Sequence, residues 1–463
     1  NYLRSKMARQ KFDFDLIVIG SGAGGSAAAT ISAALGKRVA IIEKDDFGGE
    51  SPNLGDIPMS AMLQTAQIFD SAKHGDRFGL RTNALSYNYP SIQEWKKLAV
   101  KRTGAGGNRN YYESKGISTF KGIARFITPH EITINRRHLS AENFLIATGS
   151  NFFIPNIPGL SDVNFHTMHS ALNITRPPKT MFIIGSNSRA IELAELFSTF
   201  GTKVYLADSS ARILPNEDEE VGLLLDKHLK ETKGITFLTH TRVLEISKSS
   251  ITKRVVIRRG GIERSINVEE VVVCLGTTPN VDLGLENADI EYDPTGIKVN
   301  NYLQTSQKHI FAAGDVLGRN SETQGALMES RVVAFNLYHR NKIIPDYLGA
   351  PRITWTNPNV VSIGMQEDDC LKRDLKVKKA IAPLNTTPRS NTADFRDGFV
   401  KLIADKNNVI IGATIVAPNG AEMAGELTLA VRLGMTAEQL RETPHAFLTW
   451  SEAIRIAASR LIN

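Results

Sequence analysis

The segment DLIVIGSGAGGSAAATISAALGKRVAIIEK, residues 15–44, decides the fold. It predicts a short apolar strand, a glycine turn, an alanine-rich helix and a second apolar strand. In the turn, Gly20 permits the tight bend, Gly22 lets backbone approach a pyrophosphate, and Gly25 lets the helix pack against the strand. The helix start offers N–H groups to phosphates, and Glu43 would accept hydrogen bonds from a ribose. The segment therefore predicts a βαβ unit that binds a dinucleotide.

A second βαβ unit is predicted in residues 180–208, TMFIIGSNSRAIELAELFSTFGTKVYLAD. Its first turn residue, Gly185, and its terminal acid, Asp208, have the spacing of their counterparts in the first unit. The turn keeps one glycine, with Asn187 and Ala190 at the other two positions. Asn tolerates left-handed backbone, so the fold survives, but a side chain now stands where a pyrophosphate would approach. The unit is either a second dinucleotide site or a scaffold.

The composition limits the class of protein. The chain has 463 residues, 42% of them hydrophobic, which is enough for two or three domains that each bury a core. The net charge is +7, but Lys and Arg are scattered, so we expect no nucleic-acid partner. No stretch approaches the roughly 20 apolar residues of a membrane span, and the N-terminus lacks the apolar segment of a secretory signal. We therefore expect no membrane span and a cytoplasmic location.

The sequence contains two cysteines, Cys274 in the apolar run VVVCLG and Cys370 in EDDC. The first is predicted to lie buried on a strand, and the second is predicted to be exposed. Their separation excludes a CxxC or CxxxxC pair, so the sequence predicts no local dithiol chemistry. No group of residues has metal-ligand spacing, so no metal site is predicted.

Further motifs place the chain near a known family. LIATGS at 145–150 and TSQKHIFAAGDV at 305–316 bracket the second βαβ unit. Together with the first unit, they resemble the FAD-dependent pyridine nucleotide–disulfide oxidoreductases, which include glutathione reductase, dihydrolipoamide dehydrogenase and mercuric reductase. The resemblance continues through ITWTNPNVVSIGMQE at 353–367 and HAFLTWSEA at 445–453, so it covers nearly the whole chain.

The resemblance implies an α/β fold with two Rossmann-like dinucleotide-binding domains and a C-terminal α+β dimerisation domain. The expected boundaries are 1–150 and 275–345 for a discontinuous FAD-binding domain, 151–274 for an NAD(P)-binding domain and 346–463 for the interface domain. It also implies a homodimer whose active sites are built across the interface. Asp208 favours NADH over NADPH, because its carboxylate suits a ribose 2′-hydroxyl and repels a 2′-phosphate.

The resemblance also implies which residues bind the cofactors. Those expected to contact FAD are Gly20, Gly22, Gly25, Glu43, Lys44, Gly49, Thr148, Gly149, Gly314 and Asp315. Those expected to contact a nicotinamide dinucleotide are Gly185, Asn187 and Asp208. Asp315 fits this role chemically, because a carboxylate accepts hydrogen bonds from the hydroxyls of the flavin's ribityl chain.

The chain departs from the family where the redox chemistry is done. The family motif GG-T-C-x-N-x-G-C-I-P-S-K reads GGESPNLGDIPMS from residue 48 here, which places Ser51 and Asp56 at the two cysteines. The family motif H-x-H-P-T-x-S-E keeps Glu452, but Phe447 stands at the catalytic His. Disulfide reduction needs a thiolate, a resolving thiol and a proton shuttle. Disulfide reductase activity is therefore not expected.

The nicotinamide side is altered as well. Ser188 stands where the family has a gating Tyr, and Ser60 replaces the Lys that pairs with the helix glutamate, here Glu192. Arg189, three residues earlier on the same helix, could pair with Glu192 instead. The smaller residue at the gate leaves the flavin face more open to NADH or another planar ligand.

Asp56 has two interpretations, and the whole protein has three. The residue either caps the helix that follows it or directs a carboxylate at the flavin.

The first of the three functions considered for the protein is transfer of electrons from NADH through FAD to a small-molecule acceptor such as a quinone, O2 or a metal ion. The second is a flavin enzyme with its own small substrate, in a cavity lined by Phe447. The third is a dimeric FAD-binding paralogue without catalysis. His445 is offset from the lost base and is not expected to replace it.

Overall fold

The computed structural model describes residues 12–81, 84–103, 108–319 and 322–462. The expectation drawn from the N-terminus concerns residues outside these ranges. The described strands are β1 Phe14–Ile19, β2 Val39–Glu43, β3 Ser118–Lys121, β4 Arg125–Thr128, β5 Glu131–Ile134, β6 Arg137–Ile146, β7 Ser150–Phe152, β8 His166–Thr167, β9 Thr180–Ile184, β10 Lys203–Ala207, β11 Thr236–Leu238, β12 Thr241–Ser249, β13 Thr252–Arg259, β14 Ile262–Val268, β15 Glu270–Val273, β16 Thr277–Pro279, β17 Tyr292–Asp293, β18 Gly296–Ile297, β19 Ile310–Ala312, β20 Arg352–Thr354, β21 Asn359–Gly364, β22 Lys378–Pro383, β23 Phe399–Ala404 and β24 Ile410–Ala417. The described α-helices are α1 Ala23–Ala34, α2 Glu50–Asn53, α3 Asp56–Lys73, α4 Tyr89–Thr103, α5 Arg109–Ser114, α6 Met168–Ala171, α7 Ser188–Thr199, α8 Glu219–Lys233, α9 Glu322–Tyr338, α10 Glu367–Lys372, α11 Pro388–Thr392, α12 Gly420–Leu433, α13 Ala437–Glu442 and α14 Glu452–Ile462.

The first βαβ unit forms the centre of a parallel sheet with the strand order β3-β2-β1-β6-β19. Ile19 pairs with Ile42 of β2 and Ile146 of β6, so the carboxyl ends of these strands meet at one edge. Burial on both faces explains the continuous apolar sequence of β1 and β2. The small residues of α1 allow it to lie close to α9, where the N–H of Ala28 donates to Ser330 Oγ at 3.0 Å.

The second βαβ unit repeats this arrangement with the strand order β11-β10-β9-β15-β8. Ile184 of β9 pairs with Ala207 of β10 and Val273 of β15, in the register of the first sheet. An antiparallel meander, β12-β13-β14, buries Val255 and Ile257 against this sheet. The predicted duplication of a dinucleotide-binding architecture is therefore present in the fold.

The two turns also correspond in backbone geometry. Gly20 has a φ of +106° and Gly185 a φ of +122°, values that side chains rarely permit. A Cβ atom would lie 2.1 Å from the carbonyl oxygen of Ala147 at Gly20 and 2.1 Å from that of Cys274 at Gly185. Each turn thus needs its first glycine, both for the bend and for the approach of a neighbouring strand end.

The C-terminal part is an antiparallel sheet with the strand order β20-β21-β24-β23-β22. Helices α12, α13 and α14 cover it, and the core between them includes Leu427, Trp450 and Ile454. This segregation of helices to one sheet is an α+β arrangement. The predicted fold class, two Rossmann-like domains followed by an α+β domain, is confirmed.

The chain folds as two compact units. One takes in Asn1–Pro58, Lys96–Phe153 and Thr277–Pro345, and the other takes in Met59–Trp95, Ile154–Gly276 and Asp346–Asn463. The division into three domains with boundaries at 150, 274 and 345 stays a prediction. Over the described ranges, the search for a helix long and apolar enough to cross a membrane finds none.

Candidate functional site

The first glycine turn leaves the start of α1 open. Gly22 is the N-cap residue and brings no side chain, while the N–H of Gly25 bonds to its backbone oxygen at 3.0 Å. Gly49 approaches so closely that a Cβ on it would lie 2.5 Å from Gly22 Cα. Asn53 holds this second glycine segment by donating from Nδ2 to the Gly49 oxygen at 2.8 Å. Gly22 and Gly49 thus bring two backbone segments together at the helix start without adding side chains, an arrangement that fits a pyrophosphate.

Glu43 is buried at the end of β2 and is held in place by Ser21. The Ser21 N–H and Oγ donate to Glu43 Oε2 at 3.0 and 2.7 Å, and the N–H of Asp45 donates to Oε1 at 2.9 Å. Tyr112 donates from its hydroxyl to the Ser21 oxygen at 2.9 Å and completes the support. Lys44 instead lies on the surface, 3.7 Å from the Asp45 carboxylate. The carboxylate of Glu43 therefore has the rigid placement that ribose recognition needs.

Thr148 and Gly149 follow β6 and are tied to Asn280. Thr148 Oγ1 donates to the Asn280 oxygen at 2.8 Å, and Asn280 Nδ2 donates back to the Thr148 oxygen at 3.0 Å. The N–H of Asn280 also bonds to the Gly149 oxygen at 2.9 Å. The segment that follows β6 is thus hydrogen-bonded to the segment around Asn280, next to residues predicted to bind the cofactor. Asn280 is absent from the sequence-based site residues.

Gly314 and Asp315 follow β19 at the same sheet edge. The buried carboxylate of Glu329 accepts the Gly314 N–H at 2.6 Å, and Ser150 Oγ donates to Asp315 Oδ2 at 3.0 Å. A cavity of about 250 Å³ opens beside Asp315. Its walls are formed by Thr277, Thr278, Pro279, Pro294, Thr295, Asp315, Gly318 and Arg319.

Two other carboxylates act electrostatically on Asp315. Burial raises the pKa of Asp315 above its usual value, and the negative charges of Glu50 and Asp56 raise it further. The hydrogen bond from Ser150 acts in the opposite direction. Asp56 is therefore within electrostatic reach of the residue predicted to hold the flavin's ribityl chain.

Asp56, the first residue of α3, receives two hydroxyl groups on one oxygen. Ser51 Oγ donates to Asp56 Oδ2 at 2.6 Å, and Thr323 Oγ1 donates to the same atom at 2.7 Å. Hydroxyl donors favour the charged form of a carboxylate. The two positions assigned to the family's cysteines thus meet as a hydrogen-bonded Ser–Asp pair. Thr323 was not identified from the sequence, because it reaches the pair from the distant helix α9.

The second glycine turn is closed by a side chain. Asn187 Oδ1 accepts the N–H of Ala190 at 3.0 Å, and Asn187 Nδ2 donates to the Cys274 oxygen at 2.9 Å. Ser186, in the middle of the turn, is buried, and its Oγ has no hydrogen-bond partner among the described residues. Unlike the first turn, this helix start carries its own amide cap.

Asp208 directly follows β10, whereas Glu43 is the last residue of β2. Its Oδ1 accepts the N–H of Ser210 at 2.7 Å, which shapes the loop that follows. The guanidinium of Arg212 points to backbone carbonyls, with Nη2 at 3.3 Å from the Pro215 oxygen and 3.1 Å from the Glu217 oxygen. The nearby cation is thus engaged within its own loop.

Glu192 lies fully buried on α7 and forms the ion pair expected from the sequence. Arg189 Nη1 lies 3.1 Å from Glu192 Oε2, and the backbone N–H of Trp355 donates to Oε1 at 2.9 Å. At the gate position, Ser188 Oγ accepts a hydrogen bond from Thr354 Oγ1 at 2.8 Å. Through these two side chains, helix α7 contacts the last residue of β20, Thr354, and the segment that follows it.

Glu195, one turn further along α7, binds the same segment. Its two carboxylate oxygens accept the N–H of Asn357 at 3.2 and 3.0 Å. Burial raises the pKa of Glu195 to about 7, although Lys233 and the Asn357 N–H act against that rise. Sequence reasoning did not single out this buried acid, because an isolated Glu in a helix gives no signal of burial.

Glu452 is the first residue of α14, and Phe447 lies in the turn that precedes the helix. Glu452 is buried and accepts the N–H of Leu448 at 3.0 Å, where the backbone has a φ of +63°. The side chain of Phe447 is 72% exposed in the single chain. Glu452, which the resemblance assigns to orienting a His, here braces the turn that presents an aromatic ring to the outside.

His445 is engaged through both ring nitrogens. Nε2 lies 2.7 Å from Glu426 Oε1, and Nδ1 lies 2.8 Å from the Thr443 oxygen. Both ring nitrogens therefore already have a neighbour within hydrogen-bonding distance. The expectation that His445 does not replace the lost His stays a prediction.

Both cysteines are buried. Burial raises the pKa of Cys274 to about 12, and the residue directly follows β15. Cys370 is only 2% exposed, so the expectation of an exposed thiol was wrong. The acidic run before Cys370 was the basis for expecting exposure. These residues form α10, which turns Cys370 inward and leaves Asp368 outside.

Three carboxylates converge in the second of the two compact units. The side chains of Asp218, Glu220 and Glu367 have oxygens within 4.8 Å of one another. The ammonium group of the buried Lys401 lies among them, 3.0 Å from Asp218 and 3.2 Å from Glu220, and it is bonded to Glu367 as well. A lysine thus supplies the positive charge at this cluster.

Comparison with known proteins covers nearly the whole chain. Residues 14–330 match the sequence profile described as pyridine nucleotide-disulphide oxidoreductase, and residues 350–458 match the dimerisation domain of the same description. A mercuric reductase from Staphylococcus aureus is 31% identical over 449 residues, which is 96% of this chain and 82% of that protein. A dihydrolipoyl dehydrogenase from Geobacillus stearothermophilus is 31% identical over 452 residues, covering 96% of this chain and 95% of that protein.

Solved structures share the fold at lower identity. The HOCl-induced flavoprotein disulfide reductase RclA from Escherichia coli, in its Cu(II) complex, has a TM-score of 0.85 and 23% identity, with 97% of this chain and 99% of that chain covered. LpdA from Mycobacterium tuberculosis has a TM-score of 0.86 and 22% identity, with 96% and 99% covered.

Proposed function

The chain belongs to the pyridine nucleotide–disulphide oxidoreductase family, and on this premise we propose that it passes electrons from NADH through FAD directly to an acceptor other than a disulfide. The family is FAD-dependent and uses NAD(P)H. The dimerisation-domain match of residues 350–458 supports a homodimer. Membership of the family implies an FAD-dependent oxidoreductase. Direct transfer of electrons from the flavin to a non-disulfide acceptor is what we propose beyond it.

The hydrogen bond between Ser51 and Asp56 carries the proposal. These residues stand at the positions that we assign to the family's redox cysteines, and they form an O–H···O pair of 2.6 Å. Neither oxygen can form a disulfide or take up two electrons as a dithiol does. The two thiols of the sequence, Cys274 and Cys370, are both buried and lie in other parts of the chain. We therefore propose a divergent member without the dithiol relay.

The first Rossmann-like unit has the features that FAD needs. The open helix start at Gly22 would take the pyrophosphate, the buried carboxylate of Glu43 would take the adenosine ribose, and Asp315 would take hydroxyls of the ribityl chain. Thr148, Gly149 and Gly314 would line the approach. When bound, FAD supplies a group that accepts a hydride and releases electrons.

NADH is the proposed electron donor. The Asp208 carboxylate suits the 2′-hydroxyl of the adenosine ribose in NADH and repels the 2′-phosphate of NADPH. Arg212, the cation that could offset this repulsion, is engaged with two backbone carbonyls of its own loop. These contacts support NADH over NADPH.

The acceptor is proposed to be a small molecule that reaches the flavin without a thiol intermediate. Phe447, which replaces the family's catalytic His, would offer an apolar wall in the dimer, and Glu452 would keep its turn in place. A quinone suits such a wall, and the reaction NADH + H⁺ + quinone → NAD⁺ + quinol balances without a dithiol. O2 and metal ions are the alternative acceptors, and the cytoplasmic location stays a prediction.

Anaerobic titration of the purified holoprotein tests this function. NADH is expected to bleach the flavin absorbance, NADPH should do so less effectively, and a quinone should restore the colour. The reduced protein should show no long-wavelength band from a thiolate beside the flavin. Persistent flavin colour at millimolar NADH would refute the proposal, and a thiolate band would show that the positions assigned to Ser51 and Asp56 are wrong.

The second candidate is a dimeric FAD-binding paralogue that serves as a sensor or scaffold. The amide of Asn187 at the second glycine turn favours it, because this side chain stands where NADH would place its phosphates. In that case dithionite would reduce the flavin and NADH would not. A third outcome, reduction only by another metabolite, would indicate an enzyme with its own substrate.

A further inference from the structure

The side chain of Asn187 lies across the start of α7 and is bonded at both ends of its amide. Oδ1 takes the N–H of Ala190 at 3.0 Å, and Nδ2 reaches the Cys274 oxygen at 2.9 Å. We propose that Asn187 is a specificity-determining residue that occupies, from within the chain, the space needed by the pyrophosphate of an incoming dinucleotide. This inference rests on the proposed function, in which NADH enters at this turn.

The first glycine turn shows what the second one would be without this side chain. There the N-cap residue is Gly22, no side chain bonds to the helix start, and the N–H of Gly25 is satisfied by backbone alone. Because Ala190 corresponds to Gly25, the Asn187 amide has replaced a backbone contact by a side-chain contact. The same chain thus contains an open helix start and a covered one.

Charge makes the covered start a poorer anion site. The helix dipole and its N–H groups attract negative charge at the N-terminus. Asn187 Oδ1 already places a partial negative charge there, so a phosphate oxygen must approach beside it or displace it. Displacement breaks the hydrogen bonds to Ala190 and Cys274, and each bond broken without replacement weakens binding.

The neighbouring hydroxyl, that of Ser186, supports the same inference. Ser186 is buried in the turn, and its Oγ has no hydrogen-bond partner among the described residues. A buried polar atom without a partner is costly. A phosphate oxygen at this turn would offer the acceptor that Ser186 lacks, but the Asn187 amide does not provide it.

The consequence is selectivity by chemical class. Ligands with a pyrophosphate, such as NADH and ADP-ribose, should bind more weakly than the Rossmann-like architecture alone would allow. A nucleoside without phosphates should not sense Asn187. The residue therefore lowers the affinity for dinucleotides while leaving adenosine recognition near Asp208 unchanged.

Calorimetric titration of the oxidised holoprotein with ADP-ribose tests the inference, because this ligand has the pyrophosphate but cannot reduce the flavin. Asn187→Gly should tighten ADP-ribose binding about tenfold, since a freed helix start can bond to a charged phosphate. Asn187→Ala removes the amide and keeps the Cβ, so it should give part of the gain. Adenosine is the control ligand, and its affinity should be the same in all three proteins.

Separate measurements check that the variants fold. Glycine is itself accepted at the N-cap, so Asn187→Gly should keep the melting temperature and FAD content of the wild type. Gly22→Asn makes the matched change in the first turn, where a Cβ would meet its nearest neighbour, Gly49 Cα, at 3.6 Å. It should lower the retention of FAD during dialysis.

The outcomes separate this inference from the proposed function. Equal ADP-ribose affinities in wild type, Asn187→Gly and Asn187→Ala would overturn the inference, as would no binding to any of them. If the variants bind ADP-ribose more tightly but NADH never bleaches the flavin, the inference stands and the NADH-dependent function fails. If NADH bleaches the wild type but the variants show no gain, the inference fails and the function stands.

Discussion

Replacing Lys401 by Met is expected to lower the free energy of unfolding by about 3 kcal/mol. The side chain of Lys401 is 0% exposed, and its ammonium group bonds to Asp218, Glu220 and Glu367. Removing one partner of a buried ion pair costs about 3–5 kcal/mol, because the remaining charge stays uncompensated. Glu220 and Glu367 keep 38% and 26% of their side-chain surface exposed, so water can compensate them in part, and we expect the lower end of that range.

Urea unfolding followed by tryptophan fluorescence measures the effect, with Lys379→Met as the matched control. Lys379 pairs with the same carboxylate, Glu367, at 2.6 Å, but its side chain is 55% exposed. An exposed pair contributes at most about 1 kcal/mol. Equal losses in the two variants would refute the argument that burial determines the cost.

The pH dependence has a defined sign. Burial acts to lower the pKa of Lys401, but hydrogen bonds to Glu367 and Asp218 outweigh it and raise the value. Burial acts to raise the pKa of Glu367, but Lys379 and Lys401 outweigh it and lower the value. The contribution of Glu367 is lost as pH falls through its folded pKa, and that of Lys401 is lost as pH rises through its own. The free energy of unfolding of the wild type should therefore exceed that of Lys401→Met most clearly from about pH 5 to pH 10. A difference that grows outside this window would contradict the pairing of a charged Lys401 with charged carboxylates.

Two further changes test other parts of the molecule. Asp56→Asn should raise the flavin midpoint potential, by about 30 mV for each 1.4 kcal/mol of lost repulsion, because removing a fixed negative charge favours electron uptake. Spectroelectrochemistry would measure it. Thr323→Val keeps the carboxylate and removes a hydroxyl donor that partly offsets its charge, so it should lower the potential slightly. An unchanged potential for Asp56→Asn would place the carboxylate away from the flavin. As pH rises from about 4.5 to about 7, the wild type should lose stability, because the folded chain keeps a proton on Glu195 that the unfolded chain releases. Glu195→Gln should remove this pH dependence of the melting temperature. Parallel thermal-melting profiles for both proteins over this range would show that Glu195 does not hold that proton.

The sequence predicted those features that short segments encode. The equal spacing from the first turn glycine to the terminal acid predicted both Rossmann-like units, because a tight turn, a helix start and that acid lie within one βαβ segment. The pairing of Arg189 with Glu192 could also be predicted from the sequence, because residues three apart share a helix face.

Contacts between distant segments could not be predicted in this way. Thr323 reaches Asp56 from another helix, and Lys401 meets acids from separate elements, so no local spacing records them. The error at Cys370 has a similar cause, because an acidic run predicts exposure on average whereas the rotation of one short helix decides which residue turns inward. The role of Asn187 required the structure too, because the substitution is visible in the sequence but the two hydrogen bonds of its amide are not.

The burial of both thiols has a consequence for how the protein would respond to electrophiles. Neither Cys274 nor Cys370 is exposed by more than 4%, and burial raises the pKa of both, so little nucleophilic thiolate is present at neutral pH. Alkylating agents and peroxides, which disable enzymes that work through an accessible thiolate, would find no such target here. On the proposed route past Ser51 and Asp56, electron transfer would continue under thiol-directed stress.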